Sequence, residues 1–411
     1  MKLLNIIAIL ITLSAAFGYL NSRFIRLPTT IGIMLVSMLV SVGVFVLGHF
    51  GQLGLGIEEH WLALIRNIDF NKTLMVWMLG FLLFAGALQV DLSDLLKQKW
   101  EIMILATVGV VISTFVVGAM LYLAAGWLTL NLPLIHCLLF GALISPTDPI
   151  AVLGILREAG LSKRLQTIIS GESLFNDGVG IVVFVTLLSV AAAGGQTVSP
   201  RDVLLFFAWE AAGGVLFGIL LGFAGYHALK SIDDYHVEIL ITLSMVTGGY
   251  ALATAIHTSG PITMVVAGLI TGNRGRQFAM SDRTRERLDS FWEFMDQILN
   301  SLLFVLIGLE LLTIQVSWLS LAAGLIAIPV SLIARFASVG LPFALLAVKK
   351  KLSARTLTIM TWGGLRGGIA VALAIALPAP FGREIIIPVT YMVVVFSILV
   401  QGLTVKYFVR Q

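Results

Sequence analysis

The stretch Gly171-Glu172-Ser173-Leu174-Phe175-Asn176-Asp177-Gly178-Val179-Gly180-Ile181-Val182-Val183-Phe184 decides how this chain is read. It lies inside a long apolar segment, yet it carries two carboxylates. At about 100° per residue, Ser173 and Asp177 share one face of a helix, and Glu172 and Asn176 form the adjacent row. All four side chains can therefore point into one cavity. Gly178 and Gly180 let another helix approach closely.

The surroundings of this stretch are lipid-like. The chain has 411 residues, of which 58% are hydrophobic and 12% charged. Soluble proteins carry about 25% charged residues. Mean hydropathy is +1.01. There are too few polar residues to build a hydrated shell, which excludes soluble enzymes, nucleic-acid readers and disordered scaffolds. The apolar runs are continuous rather than alternating, which excludes an outer-membrane barrel. Cys137 is the only cysteine, so no disulfide forms within the chain.

A helix crosses the hydrocarbon layer in roughly 20 residues. Thirteen such segments are expected, near 3–20, 30–48, 72–90, 102–125, 132–155, 165–192, 203–228, 236–256, 260–272, 290–312, 318–347, 355–377 and 385–408. What is left is short loops, with no soluble domain. The positive-inside rule supports this count. With the N-terminus outside and the C-terminus cytoplasmic, nineteen Lys and Arg fall on inner loops and the C-terminal tail, and five fall outside. Arg335 and Arg366 stay within the membrane. Segment one is read as a retained span rather than a signal peptide, because Arg23 and Arg26 follow it directly and hold that end inside.

Two segments are broken. In the fifth, Ser145-Pro146-Thr147-Asp148-Pro149 places two prolines three residues apart, and each removes an amide donor. In the twelfth, Gly363-Gly364-Leu365-Arg366-Gly367-Gly368 surrounds an arginine with four glycines. Irregular backbone at membrane depth survives only inside protein or beside a cavity. Counting helices pairs segments 1–6 with 8–13 around one odd span. The expected organisation is a single transmembrane domain, 1–411, with repeat one at about 1–192, a linker helix at about 203–228 and repeat two at about 236–411. The breaks fall at equivalent places in two inverted six-helix repeats, the pattern of a secondary transporter.

An ionised group at mid-membrane costs at least about 2.5–3.5 kcal/mol. Asp148, Glu172, Asp177, Arg335 and Arg366 therefore need a reason to be there. Internal ion pairs bracing the bundle explain some of them. The three acids exceed the two arginines by one negative charge, which can hold one proton or one small monovalent cation. Hard cations take oxygen ligands. The Asp177 carboxylate, the Ser173 hydroxyl and backbone carbonyls freed near Thr147 would supply them. Desolvation favours the protonated form of a carboxylate, so proton and cation compete. If only the loaded carrier crosses, this competition gives antiport.

The Thr147-Asp148-Pro149 break, Gly171-Glu172-Ser173 with Asn176-Asp177, and Gly364-Leu365-Arg366-Gly367 together resemble the cation:proton antiporter family of NhaP-like and eukaryotic-type Na⁺/H⁺ exchangers. The resemblance covers nearly the whole chain. It implies an all-α fold of thirteen transmembrane helices, a homodimer, and a core domain moving against a dimerisation domain. It implies that Asp177 binds cation or proton, and that Ser173 and Thr147 help coordinate Na⁺. It also implies that Glu172 pairs with Arg335, and that the Asn176-Asp177 pair marks one-for-one exchange. Asn176 belongs to the expected ion site, with Asp148 and Arg366 as its support.

The expected function is thus exchange of Na⁺ or Li⁺ for H⁺ across an inner or plasma membrane. No cofactor, nucleic acid or enzymatic activity is expected. K⁺/H⁺ exchange on the same fold is the nearest alternative, and an intramembrane enzyme or a cation channel is more distant. Glu210, Glu238 and Glu310, in or near spans, are read as interfacial. The arginine-rich stretch from Asn273 to Asp289 is read as a solvated inner connector.

Overall fold

The computed structural model describes residues 3–50, 78–148, 154, 156, 160–193, 199–314, 317–346 and 354–410. Among them every element is helical. Among the described residues nine helices are long and apolar enough to cross a membrane, and Leu79–Gln89 and Leu134–Ile144 are shorter apolar helices.

The thirteen expected segments can be followed in order. Spans one and two are Leu3–Leu20 and Thr29–Phe50. The described part of span three is Leu79–Gln89; its expected start, 72–77, lies outside the described residues. Span four runs Lys99–Trp127 through a π turn at Leu105–Gly109. Span five is Leu134–Ile144 up to its break. Spans six, seven and eight are Lys163–Ala192, Pro200–Lys230 and Tyr235–Ala255. Span nine is Gly260–Ile270, carried on by a π turn and a short helix to Phe278. Spans ten and eleven are Asp282–Glu310 and Trp318–Leu346. Span twelve is two half-helices, Ala354–Trp362 and Gly368–Ala376. Span thirteen begins at Arg383 and continues through a π turn at Ser397–Gln401.

One expectation changes here. The stretch from Asn273 to Asp289 is largely helical rather than a loop. Ser281 caps span ten by accepting from the Thr284 amide, and Asp282 sits in the first turn, where a negative charge suits the helix dipole. Span ten has 29 residues, about 43 Å at 1.5 Å per residue, against a hydrocarbon layer of about 30 Å. Its charged N-terminal turns can therefore extend past the layer as a helix.

Short side chains set how closely the spans pack. A Cβ added at Gly141 of span five would lie 2.2 Å from the Thr114 carbonyl of span four. Added Cβ atoms at Gly214 and Gly218 of span seven would each lie 2.9 Å from backbone carbonyls of Ser259 and Thr263. These are close crossings of the small-residue kind. Gly141→Val should lower stability by about 1–3 kcal/mol, because overpacking meets backbone that cannot turn aside. Thermal unfolding in detergent measures this, and an unchanged melting temperature would contradict the close crossing.

Between spans three and four, Leu92–Lys97 is tied to the start of span six. Lys163 donates to Asp94 at 2.6 Å and Lys97 at 2.8 Å. Hydrogen bonds from Lys163 and then Lys97 hold the Asp94 carboxyl down at about 2. A lowered carboxylate contributes above its ordinary range and loses that contribution only as pH falls toward 2. This latch is therefore indifferent to physiological pH.

Candidate ion-binding site

The two broken spans cross, and each satisfies the other's loose backbone. Span five stops at Ile144, capped by the Ser145 amide on the Ala142 carbonyl, and residues 146–148 run on without helical bonds. Span twelve stops at Trp362 and resumes at Gly368. The Asp148 amide donates to the Leu365 carbonyl at 2.8 Å. Arg366 Nη1 donates to the carbonyls of Ser145 at 2.5 Å and Pro146 at 3.2 Å. Span thirteen completes the set. The Arg366 amide donates to Ser397 Oγ at 2.9 Å, and Gln401 Nε2 donates to the Trp362 carbonyl at 3.1 Å. Buried backbone groups need such partners, so the crossing holds together as one polar unit.

Glycines let these groups meet. A Cβ at Gly364 would lie 2.4 Å from Arg335 Nε, one at Gly367 2.5 Å from the Asp148 side chain, and one at Gly368 2.6 Å from Leu303. Span six lies beside the crossing in the same way. A Cβ at Gly180 would lie 2.4 Å from Pro146, and one at Gly178 2.7 Å from Ile262 of span nine.

On span six, two rows of side chains face different partners. Glu172 pairs with Arg335 of span eleven through both carboxylate oxygens, and the Arg335 Nη2 to Oε2 bond is 2.9 Å. Both residues are buried, and Arg335 Nε also donates to the Met360 carbonyl at 3.2 Å. One turn on, Asn176 binds Thr147 at two points. Its Oδ1 accepts from the Thr147 amide at 3.3 Å, and its Nδ2 donates to Thr147 Oγ1 at 2.8 Å. The Ser173 hydroxyl donates to the Thr147 carbonyl. Asp177 is 8% exposed and stands four residues after Ser173 on the same face. Among the described residues no hydrogen bond or ion pair reaches its carboxylate, and the charge that acts on it is Asp148.

The structure thus brings together Thr147, Asp148, Glu172, Ser173, Asn176, Asp177, Arg335 and Arg366. Pro149 lies outside the described residues. The expectation about freed carbonyls needs refinement. Those of Ser145 and Pro146 are engaged by Arg366, while the Thr147 carbonyl is shared with Ser173. A carbonyl has two lone pairs, so the Thr147 oxygen can serve a second partner.

Two side chains were missed in the sequence. Asp296 and Asn300 of span ten lie by the crossing, and Asp148 and Asp296 act on each other electrostatically. Their four-residue spacing on one helix face was the available signal. The surplus of one negative charge did not count Asp296, which is half-buried. The interfacial reading of Glu238 and Glu310 fails, because both are buried in the chain. Glu310 accepts from Thr313 Oγ1 at 2.6 Å.

Comparison with known proteins identifies the family. The profile of the family described as sodium/hydrogen exchanger, transmembrane, matches residues 9–411. The Na⁺/H⁺ antiporter NhaP of Pseudomonas aeruginosa is 49% identical over 414 residues, covering 100% of this chain and 97% of that protein. The Na⁺/H⁺ antiporter NhaH of Halobacillus aidingensis is 33% identical, with 100% and 97% covered. The solved structure of the sodium proton antiporter MjNhaP1 from Methanocaldococcus jannaschii at pH 8 shares the fold. Its TM-score is 0.76 at 20% identity, covering 98% of this chain and all of that one. With its two broken helices crossing beside a buried Asp177, which is unpaired among the described residues, this multi-pass membrane chain belongs to the sodium/hydrogen exchanger family.

Proposed function

We propose that the chain is a secondary antiporter that exchanges one Na⁺ or Li⁺ for one H⁺, both binding in turn at Asp177. The observation that carries this reading is the buried Asp177 carboxylate, which no protein group neutralises among the described residues, set beside the Ser173 hydroxyl and Thr147. A hard monovalent cation would take oxygens from Asp177, Ser173 and Thr147. Asn176 fastens Thr147 in place. Glu172 and Arg335 neutralise each other, and Arg366 and Asp148 hold the crossing together. Of the carboxylates gathered at the crossing, Asp177 is then the one left to carry a positive partner, proton or cation, to move. Asp296 is half-buried, and it adds a further acidic side chain near the crossing that this count leaves out.

The protein is read as a homodimer in an inner or plasma membrane, serving Na⁺ and pH homeostasis, with its N-terminus outside and its C-terminus cytoplasmic. Two inverted repeats, about 1–192 and about 236–411, flank the linker helix at about 203–228. In this arrangement the crossing lies at the centre and moves as a unit. Cysteine labels at Gln196 and Gly382 should react from outside, and at Lys350 from inside, in a Cys137→Ser background. Labelling of all three from one side would contradict the thirteen-span topology.

The transport assay is fluorescence dequenching in proteoliposomes under an imposed pH gradient. Na⁺ and Li⁺ should dissipate the gradient, and choline should not. Dissipation by K⁺ alone would make this a K⁺/H⁺ antiporter of the same fold. A cation current without coupled proton movement would make it a channel.

A further inference from the structure

Span ten turns a second set of oxygens toward the crossing. Leu303 lies against Gly368, where an added Cβ would sit 2.6 Å from its side chain, so this face of span ten meets the break in span twelve. Asp296, seven residues earlier, falls within about 20° of Leu303 around the helix, and Asn300 within about 60°. Asn300 is 2% exposed, and its Nδ2 donates to the Asp296 main-chain carbonyl at 2.9 Å. Among the described residues its Oδ1 has no hydrogen-bond partner. A buried acceptor left in that state carries a desolvation cost that a bound cation would relieve. The charges that act on the Asp296 carboxylate, Asp148 and Glu293, are both negative. Asp148 is also the charge acting on Asp177. The cluster therefore offers oxygens and negative charge, and its natural occupant is a hard cation.

We infer that Asp296 and Asn300 form a second monovalent-cation station, beside Asp148 and separate from Asp177, which takes Na⁺ or Li⁺ on its way to the transport site. The partial exposure of Asp296 lets the ion keep some of its water, while the buried Asn300 Oδ1 replaces the rest. Asp148 acts on both this station and Asp177, so a cation can pass along negative charge rather than enter a dry cavity in one step. The place on the route rests on the reading of Asp177 as the transport site; the binding itself does not.

The test is Na⁺-dependent thermal stabilisation of the purified full chain in detergent, with choline at equal ionic strength as the control. It is run in Asp177→Asn, so that the transport site is disabled. The Na⁺-specific shift should persist there, and should vanish in Asp177→Asn with Asp296→Asn. Asn300→Leu, which keeps the branching at Cγ but removes the acceptor, should shrink it and serves if the Asp296 variant does not melt cooperatively. In otherwise wild-type protein, Asp296→Asn should raise half-saturating Na⁺ in transport roughly fivefold, the effect of removing one nearby charge in a partly hydrated site. The inference is overturned if Asp177→Asn shows no Na⁺-specific shift, or if the shift survives both span-ten substitutions. Continued exchange by Asp177→Asn would instead overturn the proposed transport site, so the two failures are distinguishable.

Discussion

Arg335→Ala is expected to destabilise the protein by roughly 3–5 kcal/mol, the cost of stranding one partner of a buried ion pair. The partner is Glu172, 1% exposed, whose two carboxylate oxygens both accept from the guanidinium. Removal of the arginine would also free the Met360 carbonyl at the end of the first half of span twelve. The alanine would leave a space beside Gly364, a residue whose missing side chain makes room for Arg335. The melting temperature in detergent should fall sharply. Glu172→Gln in the same chain should restore part of the loss, because the stranded charge is then gone. Recovery should be incomplete, since Gln cannot replace the bond to Met360 or fill the space. Purely additive losses in the double variant would contradict a direct pair.

Asp177→Asn should abolish exchange and leave the fold intact. Asn is nearly isosteric, and it removes a buried ionisable group that no protein charge compensates among the described residues. Stability should therefore hold or rise. The two substitutions separate the roles of neighbouring carboxylates on one helix. Glu172 is held by the protein itself, so disturbing its partner costs stability. In the proposed function Asp177 is left for the transported ion, so losing it should cost function. Sustained Na⁺-driven proton movement by Asp177→Asn would show that the ion is carried elsewhere. The proposed one-for-one exchange adds a second expectation. An imposed membrane potential should not move the equilibrium Na⁺ gradient, since no net charge crosses. A voltage-dependent end point would establish another stoichiometry.

Much of this was legible in the sequence because the membrane makes polar residues conspicuous. A carboxylate such as Asp177 in an apolar span, or prolines at 146 and 149, violates the local rule strongly enough to mark a site. The Ser173 and Asp177 face followed from helical period alone. The crossing itself was less accessible. Helix counting placed the two breaks at matching positions, but only the structure shows the Asp148 amide on the Leu365 carbonyl and Arg366 on Ser145 and Pro146. An arginine in a run of glycines reads as a charge to be neutralised by an acid. Its bonds to carbonyls depend on backbone geometry that no side-chain pattern records. Asp296 was missed for the opposite reason. It lies near the charge-rich beginning of span ten, where acidic residues look ordinary, and only the packing of Leu303 on Gly368 turns its face inward. Glu238 was misjudged because nearness to a span end suggests hydration, whereas neighbouring helices cover it completely.

Competition at a single carboxylate is the central claim, and the pH dependence of apparent Na⁺ affinity in wild-type proteoliposomes tests it most directly. Half-saturating Na⁺ would be measured by dequenching at fixed internal composition over a series of external pH values. If each Na⁺ displaces one proton from Asp177, half-saturating Na⁺ should rise as pH falls, approaching about tenfold per pH unit once the site is mostly protonated. It should level off at higher pH, where no proton is left to displace. A half-saturating concentration that stays constant across the acidic range, while the maximal rate alone changes, would mean that Na⁺ and H⁺ bind at separate sites.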